Sequence, residues 1–133
     1  MLAKIGPSLG TFDTVVMMGN NFGLFGSAPQ ARRLLKRLHR MTSPDARIVA
    51  ETLNPYRTTD PAHLRYHLFN RRRGRMAGQV RIRVRYQAFI SRWFDYLFVS
   101  PKELRGLLDE TGWKISKLLP SGGATYIAVL RKR

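Results

Sequence analysis

The chain has 133 residues, 44% of them hydrophobic and 11% aromatic, and it carries 24 Lys plus Arg against 8 Asp plus Glu, a formal net charge of +16. That length suits one compact core, and the aromatic content excludes a disordered chain. The absence of cysteine excludes a disulfide scaffold, a thiolate metal site and a cysteine nucleophile, and it suits a reducing, cytoplasmic setting.

No apolar run approaches the roughly 18 residues of a membrane span, and the apolar start MLAKIGPSLG is too short for a secretory signal. The first predicted element is a strand, Phe12-Asp13-Thr14-Val15-Val16-Met17-Met18. Its short, β-branched, nearly continuous apolar run is the pattern of a strand buried on both faces of a parallel sheet. A glycine-rich loop, Gly19 to Gly26, follows. Ser27 then caps a helix of about four turns with Pro29 in its first turn, where Ala31, Leu34, Leu35 and Leu38 make an apolar stripe and Arg32, Arg33, Lys36, Arg37 and Arg40 fill the other side. Ser43-Pro44-Asp45 breaks that helix, and Arg47 to Thr52 is the next strand. Strand, helix and strand in this order imply a parallel pair joined by a crossover.

Asp60-Pro61 starts a second helix, from Ala62 to about Arg73, that stops at Gly74. From Gln79 to Tyr86 the residues alternate, with Val80, Ile82, Val84 and Tyr86 on one side and Arg81, Arg83 and Arg85 on the other. This is the period of a half-exposed strand, with Trp93 to Val99 as its antiparallel partner. Ser100-Pro101-Lys102-Glu103 is a capping box opening a third helix through Leu104, Leu107 and Leu108, which Gly112 stops. Trp113 to Leu119 and Thr125 to Leu130, joined through Ser121-Gly122-Gly123, form a closing antiparallel pair.

This order of elements resembles the second half of the class I S-adenosylmethionine-dependent methyltransferases, whose last strand is inserted antiparallel into an otherwise parallel sheet. Phe12 through Met18 and Gly19-Asn20-Asn21 look like the family's fourth strand and following loop, with the Gly-Asn pair of its small-molecule N-methyltransferases. Glu103-Leu104, Gly112-Trp113 and Val129-Leu130 are similar to its closing helix, sixth strand and seventh strand. The resemblance implies an α/β fold: a partial Rossmann-like methyltransferase sheet with strands in the order 4-5-7-6, the last one antiparallel, and an inserted antiparallel β-hairpin. Residues 1–133 then form a single partial domain, with 56–99 as an insertion on the substrate side.

The resemblance also implies what is missing. Nothing before Phe12 supplies the family's glycine-rich cofactor loop or its first three strands. S-adenosylmethionine is the expected cofactor of the family, and this chain alone is expected to bind it weakly or not at all and to be inactive. The strand at Phe12 would lose its outer neighbour and expose unpaired backbone groups. The expected cover is a second copy of the chain, the segment Leu2 to Leu9, or a separate partner chain. Part of the positive charge would be the remainder of a more neutral whole.

By the same resemblance, Gly19, Asn20, Asn21 and Phe22 are the candidate cofactor-binding residues, just beyond the carboxyl end of a parallel strand. Tyr66, His67, Arg71, Arg83 and Tyr86 are the candidate substrate-binding residues. No catalytic residue is assigned, because methyl transfer from an activated sulfonium relies mainly on alignment. His63 and His67 have the helical spacing of a metal pair, but no third ligand stands near, and no metal is assigned. Between Asp60 and Asp95 the arginines at 71, 72, 73, 75, 81, 83, 85 and 92 meet no acid, and Phe69, Tyr86, Phe89 and Trp93 interleave them. That composition leaves open a basic module contacting nucleic acid or another anionic ligand.

Overall fold

A computed structural model of the protein describes residues 5–133. A four-stranded sheet organises it, built from β1 (Phe12–Met17), β2 (Thr42–Leu53), β7 (Trp113–Pro120) and β8 (Thr125–Lys132) in the order β1-β2-β8-β7. β1 and β2 are parallel, while β8 runs antiparallel to both β2 and β7. In the family's numbering this is the expected 4-5-7-6 sheet with its reversed last strand.

The crossover helix α1 (Ala28–Met41) forms where the leucine stripe predicts it, and the Ser27 hydroxyl accepts from the Gln30 amide. Its carboxyl end is held by Lys132, whose ammonium donates to the carbonyls of His39 and Thr42 at 2.7 and 2.6 Å. A cation there complements the helix dipole and satisfies carbonyls the helix leaves unpaired. Helix α3 (Pro101–Leu108) carries the full capping box, with reciprocal bonds between Ser100 and Glu103.

The core lies between one face of the sheet and these two helices. Met17, Ile48, Ala50, Tyr126, Ala128 and Leu130 meet Leu34, Leu35 and Leu38 of α1 and Leu104, Leu107 and Leu108 of α3. Trp113 is fully buried among them and donates its indole N–H to the Leu35 carbonyl at 2.9 Å.

Two expectations about this sheet need correction. β1 is not buried on both faces: Phe12, Asp13, Thr14 and Val16 are exposed, because among the described residues β1 is an edge strand and α1 and α3 cover only one face of the sheet. The second strand starts earlier than Arg47: α1 ends at Met41, before Ser43-Pro44-Asp45, and β2 begins at Thr42 directly after it. The register against β1 jumps from Phe12↔Thr42 to Thr14↔Arg47, so the proline falls in a stretch outside the regular ladder, where its missing N–H costs no ladder bond.

Between β2 and α3 stand α2 (Pro61–Arg72) and a hairpin. Asp60 caps α2, accepting from the Ala62 amide at 2.7 Å. The buried Asn70 ties the helix to the hairpin by donating to the carbonyls of Ala77 and Gln79 at 3.0 and 2.8 Å. The hairpin differs from the expected pair of long strands. It splits into β3 (Gln79–Ile82) paired with β6 (Phe94–Leu97), and a tip of β4 (Arg85–Tyr86) paired with β5 (Phe89–Ile90). Past Ile82 no layer lies beneath the strand, so Val84 and Tyr86 are exposed instead of facing a core, and Trp93 lies outside the ladder. No helix among the described residues is long and apolar enough to cross a membrane.

Candidate functional site

In an open α/β sheet ligands bind beyond the carboxyl ends of the parallel strands. Here those ends are Met17 of β1 and Leu53 of β2, and the chain builds two features above them.

The first is the loop after β1. Gly19 (φ 69°) and Asn20 (φ 61°) both take the left-handed conformation, which Gly and Asn tolerate best. Asn21–Phe25 then forms a short helix of the 3-10 type. Glu51, near the end of β2, accepts from the amides of Gly19 and Asn20 at 2.6 and 3.1 Å and from the Ser121 hydroxyl at 2.9 Å. These bonds, first that of Ser121 and then that of the Asn20 amide, hold the Glu51 carboxyl below its ordinary pKa. The Tyr96 hydroxyl donates to the Asn20 carbonyl at 2.5 Å, and its ring passes so close to Gly23 that a β-carbon there would lie 2.0 Å from it. A bulkier residue at 23 is therefore excluded unless the ring moves.

The second is a cavity of about 600 Å³ under α2, lined on its apolar side by Leu53, Pro55, Val80 and Phe98 and on its polar side by Arg57, His63, Tyr66, His67 and Arg81. Tyr96 joins the two features, since it pairs with Val80 across the hairpin. Beside the cavity, Tyr56 donates to Glu103 at 2.5 Å, lies 5.2 Å from the Arg71 guanidinium and 5.9 Å from the His67 ring. Partial burial first, then the positive charge of Arg71, lowers the His67 pKa from its ordinary value, which favours the neutral ring.

Among the sequence candidates, Tyr66 and His67 line the cavity. Arg71 stacks on Tyr56 behind it. Arg83 lies 4.8 Å over Trp93 on the hairpin, and Tyr86 sits at the hairpin tip, 69% exposed. The structure thus does not bring Arg83 and Tyr86 to the cavity. Of the loop residues, Asn21 is exposed, whereas Phe22 is fully buried edge-on against Phe25 and anchors the loop. Sequence reasoning missed Leu53, Pro55, Arg57 and Phe98, and named Arg81 only within the arginine cluster; the place of Pro55 and Arg57 just past the end of β2 was the available signal.

His63 meets Thr58 at 3.0 Å and Asp60 at 3.9 Å, and no group of three His, Asp or Glu among the described residues could hold a metal. S-adenosylmethionine fits these residues only at its margin. The two loop amides beyond β1 are already bonded to Glu51, and the glycine-rich loop between β1 and α1 is filled by its own 3-10 turn, with Phe22, Gly23 and Phe25 buried. The Asn20 side-chain oxygen is buried without a partner, the one polar atom of the loop left for a neighbour to satisfy.

Several methyltransferases of known structure share this architecture. A methyltransferase from Bacteroides fragilis, determined with S-adenosyl-L-homocysteine, superposes with a TM-score of 0.70 at 21% identity over 98% of this chain and 50% of its own. The CcbJ methyltransferase from Streptomyces caelestis gives 0.67 at 12% identity, covering 99% of this chain and 65% of its own. One from Methanosarcina mazei gives 0.60 at 16% identity over 91% and 59%. No family model and no curated protein matches the sequence. The chain therefore has the fold of part of a class I S-adenosylmethionine-dependent methyltransferase, and it spans about half to two thirds of the length of these structures.

Proposed function

We propose that this chain is the acceptor-side half of an S-adenosylmethionine-dependent methyltransferase, with no activity of its own until a cofactor-side half completes the sheet. The observation that carries the proposal is the position of β1. It is the outermost strand, with Phe12, Val16 and Met18 exposed at 42, 63 and 41%. An unpaired apolar edge is unstable against association and calls for cover.

Residues 5–9 provide little of that cover. Ile5 packs beside Val15 and its carbonyl accepts from Arg37, but Leu9 is 57% exposed; residues 2–4 lie outside the described ones. The completing strands belong to sequence outside this chain or to a separate polypeptide, and a second copy pairing edge to edge is the competing arrangement. The absence of cysteine supports a cytoplasmic setting. The nucleic-acid alternative draws no support from the three neighbours above.

Within the completed protein, Gly19, Asn20 and Asn21 would border the cofactor, and the cavity under α2 would take the methyl acceptor. The cofactor supplies an activated methyl group; the contribution of this chain is to hold and orient the acceptor and to exclude water from it. Calorimetric titration of the chain with S-adenosylmethionine tests the reading. The expected result is no binding tighter than about millimolar, near 4 kcal/mol. Micromolar binding by a monomer would overturn it.

A further inference from the structure

The cavity under α2 also carries information about what it accepts. Its volume, about 600 Å³, is that of a small-molecule site. Its apolar wall, Leu53, Pro55, Val80 and Phe98, suits a planar aromatic body. The polar groups facing it are informative because several have no internal partner. Among the described residues Arg81 makes no hydrogen bond or ion pair, and neither the His67 ring nitrogens nor the Tyr66 hydroxyl has a hydrogen-bond partner.

Neither Asp95 nor Asp60 belongs to the cavity lining. Asp95, opposite Arg81 in the hairpin ladder, accepts from Gln79 through one oxygen and keeps the other buried and without a partner, away from the cavity lining, while Asp60 caps α2 and faces His63. No carboxylate lines the cavity. A protonated amine would meet Arg57 and Arg81 with nothing to balance it, whereas a carboxylate would find a free guanidinium whose fork matches its two oxygens. The neutral His67 ring offers an acceptor nitrogen to a hydroxyl.

We infer that the acceptor held in this cavity is a hydroxylated aromatic carboxylate, with its ring on the Val80 and Phe98 wall, its carboxylate at Arg81 and its hydroxyl at His67. This goes against a cationic amine, the acceptor that the Gly19-Asn20 resemblance to N-methyltransferases would suggest. The inference rests on the acceptor-side reading for the name "acceptor", but the binding can be measured without cofactor.

The experiment is an NMR titration of the chain with 4-hydroxybenzoate, its neutral isostere 4-hydroxybenzamide and the cation tyramine. The expected result is a set of shifts at Val80, Phe98, Tyr66 and His67 with 4-hydroxybenzoate, binding of the amide about tenfold weaker, and no shifts with tyramine. Because a strongly basic chain attracts any anion, two variants localise the charge. Arg81→Gln should weaken 4-hydroxybenzoate about tenfold, and Arg131→Gln, on β8, should leave it unchanged. Equal affinity for all three compounds, equal losses in the two variants, or shifts confined to the hairpin tip would overturn the inference. Those outcomes leave the proposed half-enzyme standing, while micromolar S-adenosylmethionine binding would remove that reading and leave the cavity's preference intact.

Discussion

The two faces of the sheet share strands and alternate along the same residues, yet they live in different surroundings. On one face Ile48, Ala50, Ala128 and Leu130 are buried under α1 and α3. On the other, Val16 pairs with Val49 and Val49 with Val129, an apolar row like the first, but Val16 is 63% exposed and Val49 and Val129 are only half-buried. A sheet face of that composition is made to be covered, and α1 and α3 both pack on the opposite side. Local sequence therefore sets which residues face which way, and the rest of the protein decides whether a face is a core or an interface.

Substitutions on the two sides separate these roles. On the covered side Trp113→Ala should cost about 3–5 kcal/mol, since it removes the largest buried ring and the indole's bond to the Leu35 carbonyl. Guanidinium unfolding monitored by circular dichroism would read it, and a loss under about 1 kcal/mol would mean that this face is not a packed core. At the sheet's carboxyl end Gly23→Ala should cost about 1–3 kcal/mol, because the new methyl meets the Tyr96 ring. The loss should shrink in a Tyr96→Ala background, and full additivity would show that the loop and hairpin are not in contact.

On the bare side Val16→Thr should change the stability of the isolated chain by no more than about 0.5 kcal/mol. A loss of 2 kcal/mol would show Val16 already covered, contradicting the contrast between the faces. The smallest effect concerns Glu51, whose hydrogen bonds to the loop depress its pKa. A depressed carboxyl contributes stability that is present above its unfolded pKa and is lost as pH falls through the folded one. The amide shifts of Gly19 and Asn20 should accordingly titrate together in acid, with a midpoint below the ordinary carboxylate value. A midpoint at or above that value would mean that Glu51 does not latch the loop.

Much of this architecture is legible in the residues. Ser100 and Glu103 announce a helix start by themselves, and the leucine spacing from Ala31 to Leu38 fixes both the helix and its buried side. The four-strand order follows from the resemblance, because the closing antiparallel pair and the crossover leave few other arrangements. The bare face was not legible: Val49 and Val129 alternate with buried neighbours in the same way whether or not something lies above them. Nor was the split of the hairpin, since the alternation from Gln79 to Tyr86 continues past Ile82, where there is no longer anything to pack on. Most of the cavity's lining escaped for a different reason. Leu53, His67 and Arg81 come from β2, α2 and β3 and Phe98 from just past β6, and only the folding of α2 back onto the hairpin, through Asn70, brings them together.

The claim on which all of this turns is that β1 has one satisfied edge and one open edge. Residue-resolved amide hydrogen exchange on the chain, at a concentration where ultracentrifugation shows a monomer, tests it directly. Along Phe12–Met17 the account predicts alternation, with amides directed at β2 protected and those directed away exchanging nearly as fast as in an unfolded chain. Uniform slow exchange of both sets in the monomer would mean that the edge is already paired and the sheet complete.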